Sequence, residues 1–460
     1  MEKHKKKSMK TLNKHPFITR TLLLTIASLL SRTIGFFYRI YLSSLFGEEG
    51  MGVFQLINPV LALSFAILAA GYQTAISKLT AEYNVKKGHS TTAPLISAVS
   101  VCLPLSLLGT FLLYSLSPFI GTALLHEPRT VSMIKILAFS IPFSTMHACF
   151  NGYFYGIKEA KIPAFSQLTE QFFRVGSVYL ISIYAFKSHK KPTLNLAIFG
   201  IFLGELSAFL LCIIYALYTT AKKEKVRQAL IFVPTFKNYR DLFSMALPLT
   251  ANRLAINFLM SIESVSIPIR LRVYGYDQST ALSVFGVLTG MALPLLLFPN
   301  ALTGSISVML LPRISESYAR KDFEGVKKMI FKTITYCGLM GILCTVLFRL
   351  LGNFVGTTLF HSVLAGRFIT VLSLLCPFLY LDTTLSGILH GLGKAGELFV
   401  INVTCLTARL LFVFFAIPKY GILAYLCGIL TCQLLQCILY LCVLYRFMKN
   451  SKKTGRPMTP

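Results

Sequence analysis

Long, nearly uncharged apolar runs recur along this sequence and leave few folds open to it. A helix needs about 20 mostly apolar residues to cross the hydrocarbon of a bilayer, and twelve such segments can be counted. In the first half they run roughly over 21–46, 52–79, 94–116, 130–155, 163–184 and 195–218. In the second half they run roughly over 241–267, 281–311, 333–359, 368–390, 398–417 and 421–447. Each is continuous, whereas the strands of an outer-membrane barrel alternate over about ten residues, so a barrel is excluded. Composition agrees, since 55% apolar against 13% charged residues leaves too little polar surface for a soluble chain of 460 residues. The expected fold class is an all-α polytopic membrane protein with about 12 transmembrane helices.

The basic start MEKHKKKSMKTLNKHPFITR could open a cleaved signal peptide, but the apolar run behind it is long, carries Arg32 and lacks a small-x-small cleavage site. It is read as a retained first helix. With the N-terminus placed in the cytoplasm, thirty of the 45 Lys and Arg residues fall in inner segments, ten in outer segments and five inside spans. That is the bias expected for a multi-pass protein of a bacterial cytoplasmic membrane with both termini inside. The net charge of +28 is thus a topology signal that also attracts anionic lipid, and no nucleic-acid partner is expected. The eleven cysteines lie inside spans, four of them at five-residue spacing (Cys427, Cys432, Cys437, Cys442), which winds around a helix without building one ligand face. They are expected to be packing residues, with no metal site and no cofactor.

A shift of 235 residues superimposes Pro59 on Pro294, Lys78 on Arg313, Tyr83 on Tyr318, Pro142 on Pro377, Gly152 on Gly387, Gly156 on Gly391 and Arg174 on Arg409. IPFSTMHACFNGYFYGIKEA, ending at Ala160, stands beside CPFLYLDTTLSGILHGLGKA, ending at Ala395. One ungapped offset over this length implies two six-helix repeats, and six being even makes them parallel. The expected organisation is a basic N-terminus over 1–20, a six-helix lobe over 21–220, a linker over 221–240, a second lobe over 241–447 and a basic tail over 448–460. GLGKA at 391–395 imitates the end of a phosphate loop, but Ile388 takes the place of the first glycine and no Ser or Thr follows the lysine. Without a nucleotide-binding domain, any active transport would draw on an ion gradient or the membrane potential, and the coupling ion stays open.

Charges inside spans are costly and tend to face a bundle interior or a wet cavity. Arg32 and Arg39 are seven residues apart, two turns along one face of the first span, and Arg253 lies mid-way along the seventh. None has an acid three or four residues away on its own helix. These three, and Arg409 in the eleventh span, are the expected substrate-binding residues, able to converge on one anion if the lobes meet across a cavity. Glu170 and Arg174 stand four apart and are expected to neutralise each other structurally. Glu205, Glu263 and Asp382 are acids that could pair across helices. Pro59 and Pro294, at matched places in the second and eighth spans, each remove a backbone hydrogen bond and are expected to permit bending.

SRTIGFFYRIYLSSLFGEEGMGVFQL at 31–56, followed by AISKLTAEY at 75–83, resembles the stage V sporulation protein B and polysaccharide-transporter branch of the multidrug/oligosaccharidyl-lipid/polysaccharide exporter superfamily, related to lipid II flippases. The resemblance implies two lobes arranged as a V and flipping of a lipid-linked precursor for wall, spore-cortex or surface polysaccharide synthesis. The Ser-Arg and Gly-Phe of the related flippases' first helix fall on Ser31, Arg32, Gly35 and Phe36. Where those flippases carry a second arginine six positions on, this chain has Tyr38 and places Arg39 next to it.

Four functions compete. A flippase for an undecaprenyl-diphosphate-linked glycan or peptidoglycan precursor suits unpaired arginines, because guanidinium forks onto diphosphate oxygens. A cation-exporting drug transporter would instead place unpaired carboxylates in the first half. A membrane-embedded glycan polymerase or ligase needs a catalytic outer loop, yet the outer loops are short, and a passive scaffold of a wall-synthesis complex leaves the arginines without a role. The flippase, which is not an enzyme, is the favoured reading. Its partners would be the anionic lipid-linked substrate and membrane lipids.

Overall fold

A computed structural model describes residues 16–85, 90–222, 235–320 and 322–454. The basic segments expected at 1–20, 221–240 and 448–460 fall partly outside the described residues. Among the described residues the chain is helical, with no strand. The helices are α1 (Pro16–Gln55), α2 (Asn58–Val85), α3 (Ala93–Ser115), α4 (Thr130–Gly156), α5 (Lys161–Lys187), α6 (Asn195–Lys222) and α7 (Phe236–Tyr274). They continue as α8 (Gln278–Leu297), α9 (Asn300–Ala319), α10 (Phe323–Leu359), α11 (Val363–Gly391), α12 (Ala395–Tyr420) and α13 (Ile422–Thr454). Eleven of these are long and apolar enough to cross a membrane. The expected fifth span is also a full-length helix, α5, but its inner turns carry Gln167, Glu170, Gln171 and Arg174 and it falls short of that apolarity.

Two expected spans are corrected. The second helix starts at Asn58 rather than near 52, because α1 runs on to Gln55 across a kink at Gly47, where φ is +70°. The expected span over 281–311 is interrupted at Phe298 and Pro299, so it is two helices, α8 and α9. Polar caps set several starts. Asp277 accepts hydrogen bonds from the amides of Ser279 and Thr280 at the head of α8, Asp322 from Gly325 at the head of α10, and the Ser362 hydroxyl from Ala365 at the head of α11.

The chain divides into two compact units. The first takes the described residues up to Gly35 together with Ile57–Phe258, and the second takes Phe36–Leu56 and the described residues from Leu259 onward. In the first, Tyr72, Ala75 and Ile76 of α2, Ala98 and Cys102 of α3, Met146 and Cys149 of α4 and Leu242 and Ala246 of α7 form a buried hydrophobic core. In the second, Ile314, Val326, Ile330, Leu385, Ile388, Cys405, Tyr440 and Leu444 do the same. The outward faces of the long helices are equally apolar, as at Leu107, Leu108 and Phe111 of α3 and Leu343, Leu350 and Phe354 of α10. Such faces suit lipid and would be a liability in water.

The internal repeat is written into the contacts. In the first unit the Thr110 hydroxyl donates to the Ala138 carbonyl at 3.0 Å; 235 residues on, in the second unit, Thr345 donates to Ser373 at 3.0 Å. The amide of Glu127 donates to Gly121 at 2.9 Å and that of Ser362 to Gly356 at 3.0 Å. The amide of Glu159 donates to Phe154 at 2.8 Å and that of Lys394 to Leu389 at 2.9 Å. Gly152 and Gly387 mark the same close helix approach: a Cβ on Gly152 would stand 2.5 Å from the Gln73 carbonyl, and one on Gly387 1.7 Å from the Ser307 hydroxyl.

Candidate functional site

Each unit carries polar groups inside its helices, and the expected arginines separate into two kinds. Arg32 of α1 and Arg253 of α7 belong to the first unit and are exposed. Neither meets an acid among the described residues. Arg253 donates from Nη2 to the Thr74 hydroxyl at 3.3 Å, and Thr74 in turn donates to the Ala70 carbonyl at 3.3 Å, the last residue of a π-turn over Ala66–Ala70. A hydroxyl partner leaves the guanidinium its full charge, and the remaining donors of its fork stay available to an anion. Arg39 lies in the second unit and is half-buried.

Arg174 and Arg409, related by the repeat, are held by acids. Arg174 donates to Glu170 one turn back on α5, as the four-residue spacing predicts. Arg409, expected among the substrate-binding residues, has its charge met inside the second unit: Nε stands 2.5 Å from Glu263 Oε1 and Nη2 donates to Oε2 at 2.6 Å. The Tyr425 hydroxyl donates to Glu263 Oε1 at 2.7 Å. Glu263 is 5% exposed at its side chain, so this fork is a buried ion pair between α7 and α12. Asp382 of α11 faces Gln433, and its Oδ1 has no hydrogen bond.

The first unit also contains a network that no local spacing indicates. His147 of α4, 8% exposed, lies 3.2 Å through Nδ1 from Glu205 Oε2 of α6. Its Nε2 is 2.9 Å from the Asn151 amide nitrogen and 3.0 Å from the Ser166 hydroxyl. Ligand atoms of His147, Glu170 and Glu205 all fall within 4.8 Å of one another. Gly204 makes this convergence steric, since a Cβ there would stand 2.9 Å from the Glu170 carbonyl and 3.2 Å from Arg174 Cβ. His147 and Glu205 are 58 residues apart. The one sequence signal available was the repeat, which sets His147 opposite Asp382 and Glu205 opposite Tyr440.

The prolines differ from each other. Pro59 occupies the first turn of α2, where no amide is needed, so it starts a helix and does not break a hydrogen bond inside one. Pro294 lies within α8 directly after a π-turn over Val287–Ala292, which absorbs the missing amide and leaves an irregular helix at that depth.

Fold and polar interior together define a polytopic α-helical membrane protein. More specifically, the chain belongs to the polysaccharide biosynthesis protein family, whose pattern matches residues 18–318. It is 26% identical over 425 residues to stage V sporulation protein B of Bacillus subtilis (strain 168), a match covering 91% of this chain and 81% of that protein. It is 23% identical over 401 residues to lipid II flippase MurJ of the same organism, covering 81% of this chain and 72% of that one. Among solved structures, the inward-facing conformation of a multidrug resistance MATE family transporter of the MOP superfamily matches with a TM-score of 0.70 at 17% identity, covering 93% of this chain and 96% of that chain. Lipid II flippase MurJ in an inward closed conformation matches with a TM-score of 0.70 at 16% identity, covering 92% of this chain and 87% of that chain. The resemblance seen at 31–56 and 75–83, and the fold class, are borne out.

Proposed function

We propose that this protein flips an undecaprenyl-diphosphate-linked glycan or peptidoglycan precursor across a bacterial cytoplasmic membrane by alternating access, serving wall, spore-cortex or surface polysaccharide synthesis. Both termini lie in the cytoplasm, and the moving parts are the six-helix halves over 21–220 and 241–447. The observation that carries the reading is that Arg32 and Arg253 sit in apolar spans, exposed and unmatched by any acid among the described residues. A charge in such a place is costly unless something uses it. A diphosphate supplies several oxygens suited to the guanidinium fork, which a lysine ammonium does not reproduce. Arg39 adds a third cation on the same helix as Arg32.

A cation exporter would want free carboxylates in the first half. Glu170 is bonded to Arg174 and Glu205 to His147, so neither carboxylate stands without a partner. The irregular backbone at Ala66–Ala70 and Val287–Ala292 gives α2 and α8 places to bend during transport.

Purified protein in proteoliposomes, supplied with a lipid-linked diphosphate sugar, tests the assignment. Arg32→Ala and Arg253→Ala should each abolish flipping at near-normal protein level in the membrane, and Arg→Lys at either position should restore only part of it. Alanine variants that flip normally, or that fail to accumulate, overturn the role given to these arginines.

A further inference from the structure

We propose that His147 is a proton-binding site, clamped by Glu205 on one side and by Ser166 and Asn151 on the other; what the proton drives rests on the transport reading above, while the site itself does not.

Charge counting inside the first unit motivates it. Glu170 and Glu205 bring two negative charges and Arg174 one positive charge to a single cluster within membrane-spanning helices. With both carboxylates ionised, the cluster carries one uncompensated negative charge when the imidazole is neutral and none when it is an imidazolium. A buried cluster that is one positive charge short of neutrality, and that holds a group able to supply that charge near neutral pH, is built to load and unload one proton.

The hydrogen bonds fit both states. As placed, the Asn151 amide donates to Nε2, so the ring proton sits on Nδ1 and points at Glu205 Oε2, 3.2 Å away. On loading, a proton from the aqueous phase bonds to Nε2, which then donates to the Ser166 oxygen at 3.0 Å while Ser166 donates onward to the Pro163 carbonyl at 3.1 Å. Asn151 turns its amide so that its oxygen also accepts from Nε2. Unloading reverses these steps and returns the proton to water. Hydroxyl and carboxamide groups can both donate and accept, so neither state leaves a buried ring nitrogen without a partner. A site meant only to hold a fixed tautomer has no need of two such groups at one nitrogen.

The surroundings contain no competing charge. α6 contributes Glu205 and the Cys212 thiol, which lies 3.9 Å from Asn151 Oδ1. α5 contributes Glu170 and Arg174, and α3 carries no charged residue. α2 meets α4 at Gly152 and Gly156 through Gln73, Ser77 and Thr80, all uncharged. A metal ion fits worse than a proton, because it would face the Arg174 guanidinium already bonded to Glu170. In the second unit the repeat puts Asp382 and Tyr440 at the matching positions, so the imidazole and its Glu205 partner have no copy there.

Protein carrying isotopically labelled histidine, reconstituted in nanodiscs, tests this by nuclear magnetic resonance, the His147 signal being the one missing from His147→Gln. The expected result is an imidazole that titrates over about pH 5 to 8, with a midpoint that moves by about 1 pH unit or more in Glu205→Gln and is indifferent to sodium or zinc at fixed pH. A signal that never titrates, a midpoint that Glu205→Gln leaves in place, or displacement by either metal overturns the proposal. Ser166→Ala, which retains the ion pair, should also move the midpoint and serves if His147→Gln does not fold. In proteoliposomes an imposed pH gradient should change the flipping rate of wild type and not that of His147→Gln; equal responses overturn the coupling. The titration is read without any transported molecule. Its failure leaves the lipid-linked substrate untouched, and a titrating His147 in a protein that moves no such lipid overturns the substrate alone.

Discussion

Glutamine in place of Glu263 keeps the shape of the side chain and removes the charge that neutralises Arg409. In the native protein two guanidinium nitrogens stand 2.5 and 2.6 Å from the two carboxylate oxygens, Nη2 donating the hydrogen bond, and Tyr425 donates at 2.7 Å. Removing one partner of a buried pair costs about 3–5 kcal/mol, because the other charge stays behind without compensation. Arg409 keeps 22% side-chain exposure and can turn partly toward polar surroundings, so about 3 kcal/mol is expected for Glu263→Gln and slightly less for Arg409→Met. Carrying both changes at once leaves no stranded charge, and a well-packed neutral replacement is often close to neutral in stability. The double variant should therefore be more stable than Glu263→Gln, with a coupling energy of about 3 kcal/mol or more in a double-mutant cycle. Reversible unfolding in a fixed detergent or bilayer system measures all four proteins. Single variants that lose under about 1 kcal/mol, or a double variant whose loss is the sum of the singles, would refute a buried ion pair at this place.

Three other outcomes are expected. Valine at Gly152 or at Gly387 should cost most of the folded protein, because the Gln73 carbonyl and the Ser307 hydroxyl occupy the space, whereas alanine at Gly176, with nothing within 4 Å of its Cβ position, should be neutral or stabilising; folded yield by size-exclusion chromatography separates them, and a tolerated Gly152→Val counts against the packing. Reporter fusions after His126 and after Lys394 should report outside and inside, and the reverse result contradicts the topology. The Thr280 hydroxyl together with the local amides holds the Asp277 carboxyl below its ordinary range, so the α8 cap is fully present above that ordinary range and is lost as pH falls through the lowered value; hydrogen exchange at the Ser279 and Thr280 amides should quicken in acid, and a rate that follows only the intrinsic pH dependence argues against the cap.

How much of this was legible in the sequence depended on distance along the chain. Apolar runs are local signals, so the class of fold and nearly every span could be read directly. The 235-residue offset survived into structure because the same close approaches, Gly152 on Gln73 and Gly387 on Ser307, constrain the same positions in both halves. Glu170 with Arg174 was legible because one helical turn joins them. Glu263 with Arg409 is 146 residues apart and His147 with Glu205 is 58 apart, separations that only packing brings together. Helix ends were less legible for a related reason: Pro59 looks the same whether it opens a helix or interrupts one, and the turn at Leu56 and Ile57 decides which. The break after α8 was hidden because Phe298 and Pro299 lie within a run that stays free of charged residues on both sides.

Direct flipping of a fluorescent lipid-linked diphosphate sugar by the purified protein in proteoliposomes, run beside efflux of a lipophilic cationic dye from the same vesicles, tests the central claim most directly. The account predicts that the lipid-linked diphosphate crosses the bilayer only when the protein is present, that Arg253→Ala stops it, and that the dye is not moved. Export of the dye by a protein that leaves the lipid-linked diphosphate in its original leaflet would contradict it.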